Sequence, residues 1–195
     1  MTSEKYDLSQ QPIPVTASPE QTQKIIEFAD LVNVHYAEHG VGWETTYRFH
    51  VNPIRETSIM GFLGEAVVAE VLGLEFREEL FDNGDFGWDN EYGDLRVQVK
   101  CGSGKQLIMR NLEHWKPTAD VVVFAEYLGD RRVPHENPSF EVWGWLSKKD
   151  FLRMHKWRHF ADKWPDGSPR KNAYVDCWNL RPLSTLSKYK TKVPA

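Results

Sequence analysis

Cysteine is nearly absent from this chain, with only Cys101 and Cys177 in 195 residues and no C-x-x-C pair. That argues against a disulfide framework or a zinc knuckle and fits a reducing, cytoplasmic setting. No apolar run approaches the roughly 20 residues needed to cross a bilayer, so no membrane association is expected. The opening stretch MTSEKYDLSQQPIPVTASPE lacks the basic-then-apolar pattern of a secretory signal. Internal repeats and low-complexity blocks are missing too. Against these absences stand 41% hydrophobic and 13% aromatic residues, enough to build one sizeable core at this length.

The net charge is only −4, but residues 148–192 carry 12 Lys or Arg against 4 Asp or Glu, which leaves −12 on the remainder. A basic end of this kind suits a polyanionic partner, and an acidic body suits the holding of cations. A solvated basic surface accounts for the same numbers equally well.

Residues 1–18 read as a flexible lead-in punctuated by Pro12, Pro14 and Pro19. A helix follows from Pro19, with Ile25, Ile26, Ala29, Val32 and Tyr36 at helical spacing, Ser18 as N-cap and Gly40 as a stop. Residues 41–56 look irregular or weakly extended. A second helix spans roughly 57–72, capped by Thr57 or Ser58 and closed by Gly73. A hairpin over 86–90 and 95–101 comes next, then a strand in ADVVVFAEYL and another in SFEVWGWL. The run SKKDFLRMHKWRHFADKW reads as a helix from Ser147, although Phe151, Met154, Arg158 and Phe160 make no clean stripe. A short strand in NAYVDCWNLRPLSTL precedes a loose tail at 188–195. Helix, strands and helix in that order point to an α/β or α+β sandwich, a single domain over 19–187.

Glu65 stands out first. It lies between Phe62, Ala66 and Ala69 on the helix face that ought to be buried, where a carboxylate needs a partner or a cation. An edge position reaching water or an arginine is the plainer explanation. Asp85, Asp89 and Asp94 precede the triplet Gln98-Val99-Lys100. With the turn near 90–94, Asp89 can face Gln98 across the hairpin, and Gln98 and Lys100 share one strand face. A hard divalent ion takes oxygen ligands, which the Asp89 carboxylate, the Gln98 amide and the Val99 carbonyl can supply. Lys100 then suits a phosphate or an attacking hydroxide. Aspartates also populate turns for purely conformational reasons.

Other candidates are thinner. His35, His39 and His50 complete no zinc pattern. GSGK at 102–105 lacks the spacing of a phosphate loop and reads as the loop after the Gln98–Lys100 strand, where its main-chain amides and Lys105 can meet a phosphate. Trp143, Trp145, Trp157, Trp164 and Trp178 are expected mostly in the core, with one or two free to stack on unpaired bases. Lys148, Lys149, Arg153, Lys156 and Arg158, with Lys163, Arg170 and Lys171, suit one groove for a phosphate backbone.

Taken in order, GFLGEAVVAEVLGL, GDFGWDNEYGDLRVQVK, and DVVVFAEYL followed by EVWGWL resemble the PD-(D/E)XK nuclease superfamily, particularly its small phage-type members. The likeness covers about 57–146, matches the family motif at Glu65, Asp89 and Lys100, and leaves 147–187 as a basic C-terminal part. It implies a restriction-endonuclease-like core, a mixed central β-sheet flanked by helices, and Mg²⁺- or Mn²⁺-dependent hydrolysis of DNA phosphodiesters. Glu65, Asp89, Gln98 and Val99 are then the metal site and Lys100 the phosphate or nucleophile group, with Asp94 and Asp85 as successive alternatives to Asp89. The setting is the cytoplasm, that of the host if the gene is a phage's. Gln98 stands where the family usually has Asp or Glu; a Q-x-K variant occurs in active relatives, including Mrr-like restriction endonucleases. An inactive nuclease-fold protein that binds DNA or a host protein is the alternative, and a dimer is possible in either case.

Overall fold

The computed structural model describes residues 6–38, 54–80, 88–109, 119–163 and 169–189. Its elements are β1 (Ile13–Thr16), α1 (Pro19–Glu38), α2 (Ile54–Leu72), β2 (Asn90–Tyr92), β3 (Leu95–Gly102), β4 (Gln106–Met109), β5 (Val121–Tyr127), β6 (Ser139–Ser147), α3 (Lys148–Met154), β7 (Lys156–Lys163) and β8 (Pro169–Asp176). A mixed five-stranded sheet runs β1-β6-β5-β3-β2, and a three-stranded antiparallel sheet runs β4-β8-β7. In the larger sheet only β3 and β5 pair in parallel.

The helices begin and end where local chemistry dictates. Ser18 accepts a hydrogen bond from the Gln21 N–H at 3.1 Å, capping α1 directly before Pro19. At the other end of α2, Gly73 takes φ +70°. Its N–H reaches the Glu70 carbonyl at 3.0 Å while the Leu74 N–H reaches Ala69 at 2.8 Å. That paired closure satisfies carbonyls the helix leaves open.

β5 is buried throughout because both of its faces are covered. Val121, Val123, Ala125 and Tyr127 join Ile59, Leu63, Val67 and Val71 of α2 in one core. Val122 and Phe124 point the other way, into a second core with Leu107 and Met109 of β4, Ala173 and Val175 of β8, and Phe151 of α3. The fold is therefore a layer of helices, the mixed sheet, and a smaller sheet on the far side. A mixed sheet with helices packed on it accords with the α/β expectation, whereas the second sheet covering one face does not follow from it.

α2 lies unusually close to β3. A Cβ at Gly64 would meet the Cys101 Cβ at 2.7 Å and its Sγ at 3.0 Å. Gly64→Ala should destabilise the protein by about 1–2 kcal/mol: overpacking costs roughly 1–3 kcal/mol and helix propensity returns up to about 1. Urea denaturation checks this, and an unchanged midpoint would mean that the helix and strand can part at no cost.

Three expectations need correction. Residues 1–18 are not all a loose lead-in: β1 pairs antiparallel with β6, Ile13 opposite Val142 and Val15 opposite Phe140. Ile13 and Val15 are buried there, and Pro14 fits because β1 is an edge strand. The second helix starts at Ile54, three residues before Thr57. The helix from Ser147 stops at Met154, where His155 turns extended (φ −63°, ψ 148°), and the remainder becomes β7. Ser147 does cap α3, accepting from the Asp150 N–H at 3.2 Å. Gly40 and most of 41–56 lie outside the described residues.

β6 contains a bulge that decides which core each of its side chains enters. Phe124 of β5 faces Gly144, but Ala125 faces Val142, so Trp143 is the extra residue. The shift reverses the alternation, and Trp145 follows Phe140 and Val142 into the helical-side core while Leu146 enters the other. Trp143, looped out, donates its indole N–H to Glu126 at 2.9 Å. At the bulge Arg181 pairs with Trp145, N–H to carbonyl at 3.0 and 2.9 Å in the two directions.

Candidate functional site

The hairpin β2–β3 sets the register on which the site rests. Its turn uses Gly93 at φ +62°, and Asn90 stands opposite Val97. One step further out, Asp89 takes the place across from Gln98. Its N–H bonds the Val97 carbonyl at 2.8 Å, and its carboxylate accepts the Val99 N–H at 2.5 Å. Asp89 thus brackets Gln98 from the neighbouring strand position, continuing the ladder with a side chain after β2 has ended.

Faces follow from the pairing of β3 with β5. Val97 and Val99 belong to the core under α2. Gln98 and Lys100 lie beside Val122 and Phe124, whose side chains enter the other core, so both leave β3 on the side away from α2. Arg96 shares that face. Gln98 is fully buried, and among the described residues neither its amide oxygen nor its amide nitrogen has a hydrogen-bond partner. Two unsatisfied amide atoms at zero exposure are uncommon, since a buried amide of this kind is normally paired.

Glu65 is half-buried on α2, next to Gly64 where the helix meets Cys101. Burial pushes the Cys101 thiol up to about 12, and the Glu65 charge adds to that rise. Glu65 is therefore brought to the Cys101 end of β3, but from the helical side, whereas Lys100 departs from the opposite face. Asp94 sits in the exposed hairpin turn, six strand residues from Lys100 or about 20 Å away. Asp94 is thus not gathered with Gln98 and Lys100. Asp85 lies outside the described residues, as do His39 and His50. Among the described residues no group of three or more His, Cys, Asp or Glu side chains stands ready to hold a metal ion.

The basic residues do not form one groove. Lys148 and Lys149 follow Ser147, which pairs with Val121, at the Val97 end of the sheet. With Asp120, Leu152 and Tyr189 they border a shallow concavity of about 510 Å³. Lys105 lies beyond the other end of β3, its ammonium 5.5 Å over the Trp143 ring. Lys156 pairs with Asp176 at 2.8 Å, and that ammonium holds the Asp176 carboxyl below its ordinary value. Arg158 donates to the Gln106 amide oxygen at 2.6 Å. Arg153 and Arg181 both bind Asp150, at 3.1 and 2.8 Å.

Three features escaped the sequence. The Arg77 and Arg96 guanidiniums both lie over the Trp88 ring, at 5.7 and 5.5 Å, beside Asp89. Glu126 ends the apolar β5 as a buried carboxylate held by Trp143. Lys171 stands 4.5 Å over the ring of Trp157, which is 40% exposed. Arg96 alone had a readable signal, two residues before Gln98 on the same strand face; the others depend on partners distant in sequence. Comparison of the chain with family models, curated proteins and solved structures returned no match.

Proposed function

We propose that this chain is a divalent-metal-dependent nuclease acting on DNA, with a PD-(D/E)XK-like core and a Gln-x-Lys form of the motif. The observation that supports it best is Gln98: a fully buried amide with neither atom partnered among the described residues, bracketed by Asp89 and sharing its strand face with Lys100. A polar group left unsatisfied at cost is characteristic of a place prepared for a ligand. Oxygen donors suit a hard cation, so Asp89, the Gln98 amide oxygen and the Val99 carbonyl are the groups that would hold Mg²⁺ or Mn²⁺.

Bound there, such an ion supplies a hydroxide near neutral pH and offsets charge on the phosphate. The chain's own residues do the rest. Asp89 fixes the Val99 peptide by accepting its N–H, which orients the adjoining main chain. Lys100 offers a positive charge to a phosphate on the Gln98 face. Glu65, from the helical side, adds negative charge at the end of the same strand.

One observation favours the non-catalytic alternative, a nuclease-like fold that only binds DNA or a protein. Glu65 approaches β3 from the α2 side while Lys100 leaves it on the other, and no three-residue acidic or histidine group is assembled among the described residues. A metal titration by calorimetry separates the two readings. The deciding experiment incubates pure protein and Lys100→Ala with single- and double-stranded DNA in Mg²⁺ or Mn²⁺. Cleavage by the native chain that disappears in Lys100→Ala supports the nuclease; equal cleavage by both marks a contaminant and removes the assignment.

A further inference from the structure

β7 is the outer strand of the three-stranded sheet, and it extends past the buried core. On β8, Ala173 and Val175 are sealed in that core. Trp157 faces Ala173 and His159 faces Lys171 across the ladder, so Trp157, His159 and Lys171 lie on the same side as Ala173. Yet Trp157 is 40% exposed, and His159 and Lys171 are exposed as well. An indole with that much surface in water is costly to keep there for packing alone.

The ring is also held in place. His155 stacks parallel on buried Phe151, with centroids 6.0 Å apart, and meets Trp157 at 5.2 Å with the planes at 87°. Lys171 lies 4.5 Å over the indole. On its own face of the ribbon the indole is flanked by Lys171 and His159, while Lys156 and Arg158, opposite Tyr174 and Asn172, leave β7 on the other face.

We propose that the outer β7–β8 ribbon binds single-stranded nucleic acid, with Trp157 stacking on an unpaired base and Lys171 moving from the ring to the adjoining phosphate. A duplex keeps its base faces covered and can use only the cations, whereas a single strand uses cations and ring together. An acidic peptide would likewise engage the lysines and leave the indole idle. The choice of ligand rests on the DNA reading above, but the surface does not depend on the cleavage chemistry.

The test is fluorescence anisotropy of a labelled oligothymidylate with the full chain in EDTA, where metal-dependent cleavage cannot run. Trp157→Ala is expected to weaken binding by roughly 5- to 150-fold, the range set by one base–aromatic stack. Trp157→Phe should keep most of the affinity, which also covers the case in which the alanine variant fails to fold. Lys171→Gln should flatten the log–log salt dependence by about 0.7, one phosphate contact on a single strand. Native-like affinity in folded Trp157→Ala overturns the proposal. So does equal binding of duplex, or displacement by polyglutamate at matched charge. Binding lost with cleavage retained removes this surface alone; cleavage absent with binding retained removes only the nuclease.

Discussion

Gly144→Ala is expected to destabilise the protein by about 3–5 kcal/mol. Two penalties fall on the same residue. Gly144 has φ +137°, a region open in practice to glycine alone. A Cβ built there would stand 2.2 Å from the Arg181 carbonyl oxygen, and that contact is with main chain, which cannot swing aside as a side chain does. Relief would require breaking the paired Trp145–Arg181 hydrogen bonds. It would also pull the C-terminal segment from Trp145, whose indole N–H donates to Pro182 and Thr185 at 3.1 and 3.0 Å. For a domain of this size the melting temperature should fall by roughly 6–20 °C. Urea and thermal denaturation measure it; a loss under about 1 kcal/mol would mean that the bulge relaxes without strain.

Gln98→Met is expected to move stability and activity in opposite directions. Methionine has nearly the length of glutamine and no strong polar atom. The substitution removes two buried amide atoms that have no partner among the described residues and should stabilise the fold by about 1–3 kcal/mol. If the amide oxygen helps hold the cation, the same change removes a direct ligand. Metal-dependent cleavage should then drop at least 100-fold or so, beyond the usual range for groups one step removed from a metal. Added Mg²⁺ should raise the melting temperature of the native chain and leave that of the variant unmoved, because a ligand stabilises only the state that binds it. A variant less stable than the native chain would show that the amide is satisfied in solution. A variant more stable with undiminished cleavage would separate Gln98 from the chemistry.

The parts of the fold readable in the sequence are those written locally. Ser18-Pro19 opens α1, and the Leu72-Gly73-Leu74 closure ends α2. The apolar run of β5 declares a strand covered on both faces. The hairpin, and with it the placement of Asp89 across from Gln98, follows from one glycine turn. What stayed hidden depends on remote partners. β1 is four residues between prolines and looks like a loop until β6 is there to receive it. In KWRHFADK Trp157 and Phe160 stand three apart, a helical rather than an alternating spacing, so the segment reads as the tail of the preceding helix. The pairing of β4 with β8 joins Gln106 to Asp176 and has no local sign at all. The same limit governs the site. Spacing put Gln98 and Lys100 on one face, but the side from which Glu65 approaches was fixed only when α2 settled on Cys101.

The two terminal segments share one strand, and this bears on how the chain is made. β1 lies along β6 at residues 139–142, and Arg181 takes over at Trp145. Gln11 then donates to the Leu180 carbonyl across 169 residues of sequence, and the Ser184 N–H reaches Leu8. During synthesis Ile13 and Val15 leave the ribosome well before Phe140 and Val142, the residues they pair with. Contacts so far apart in sequence close late and slowly. The nascent chain therefore carries β1 without its partner until β6 is translated, and it is in that interval that a chaperone would find it.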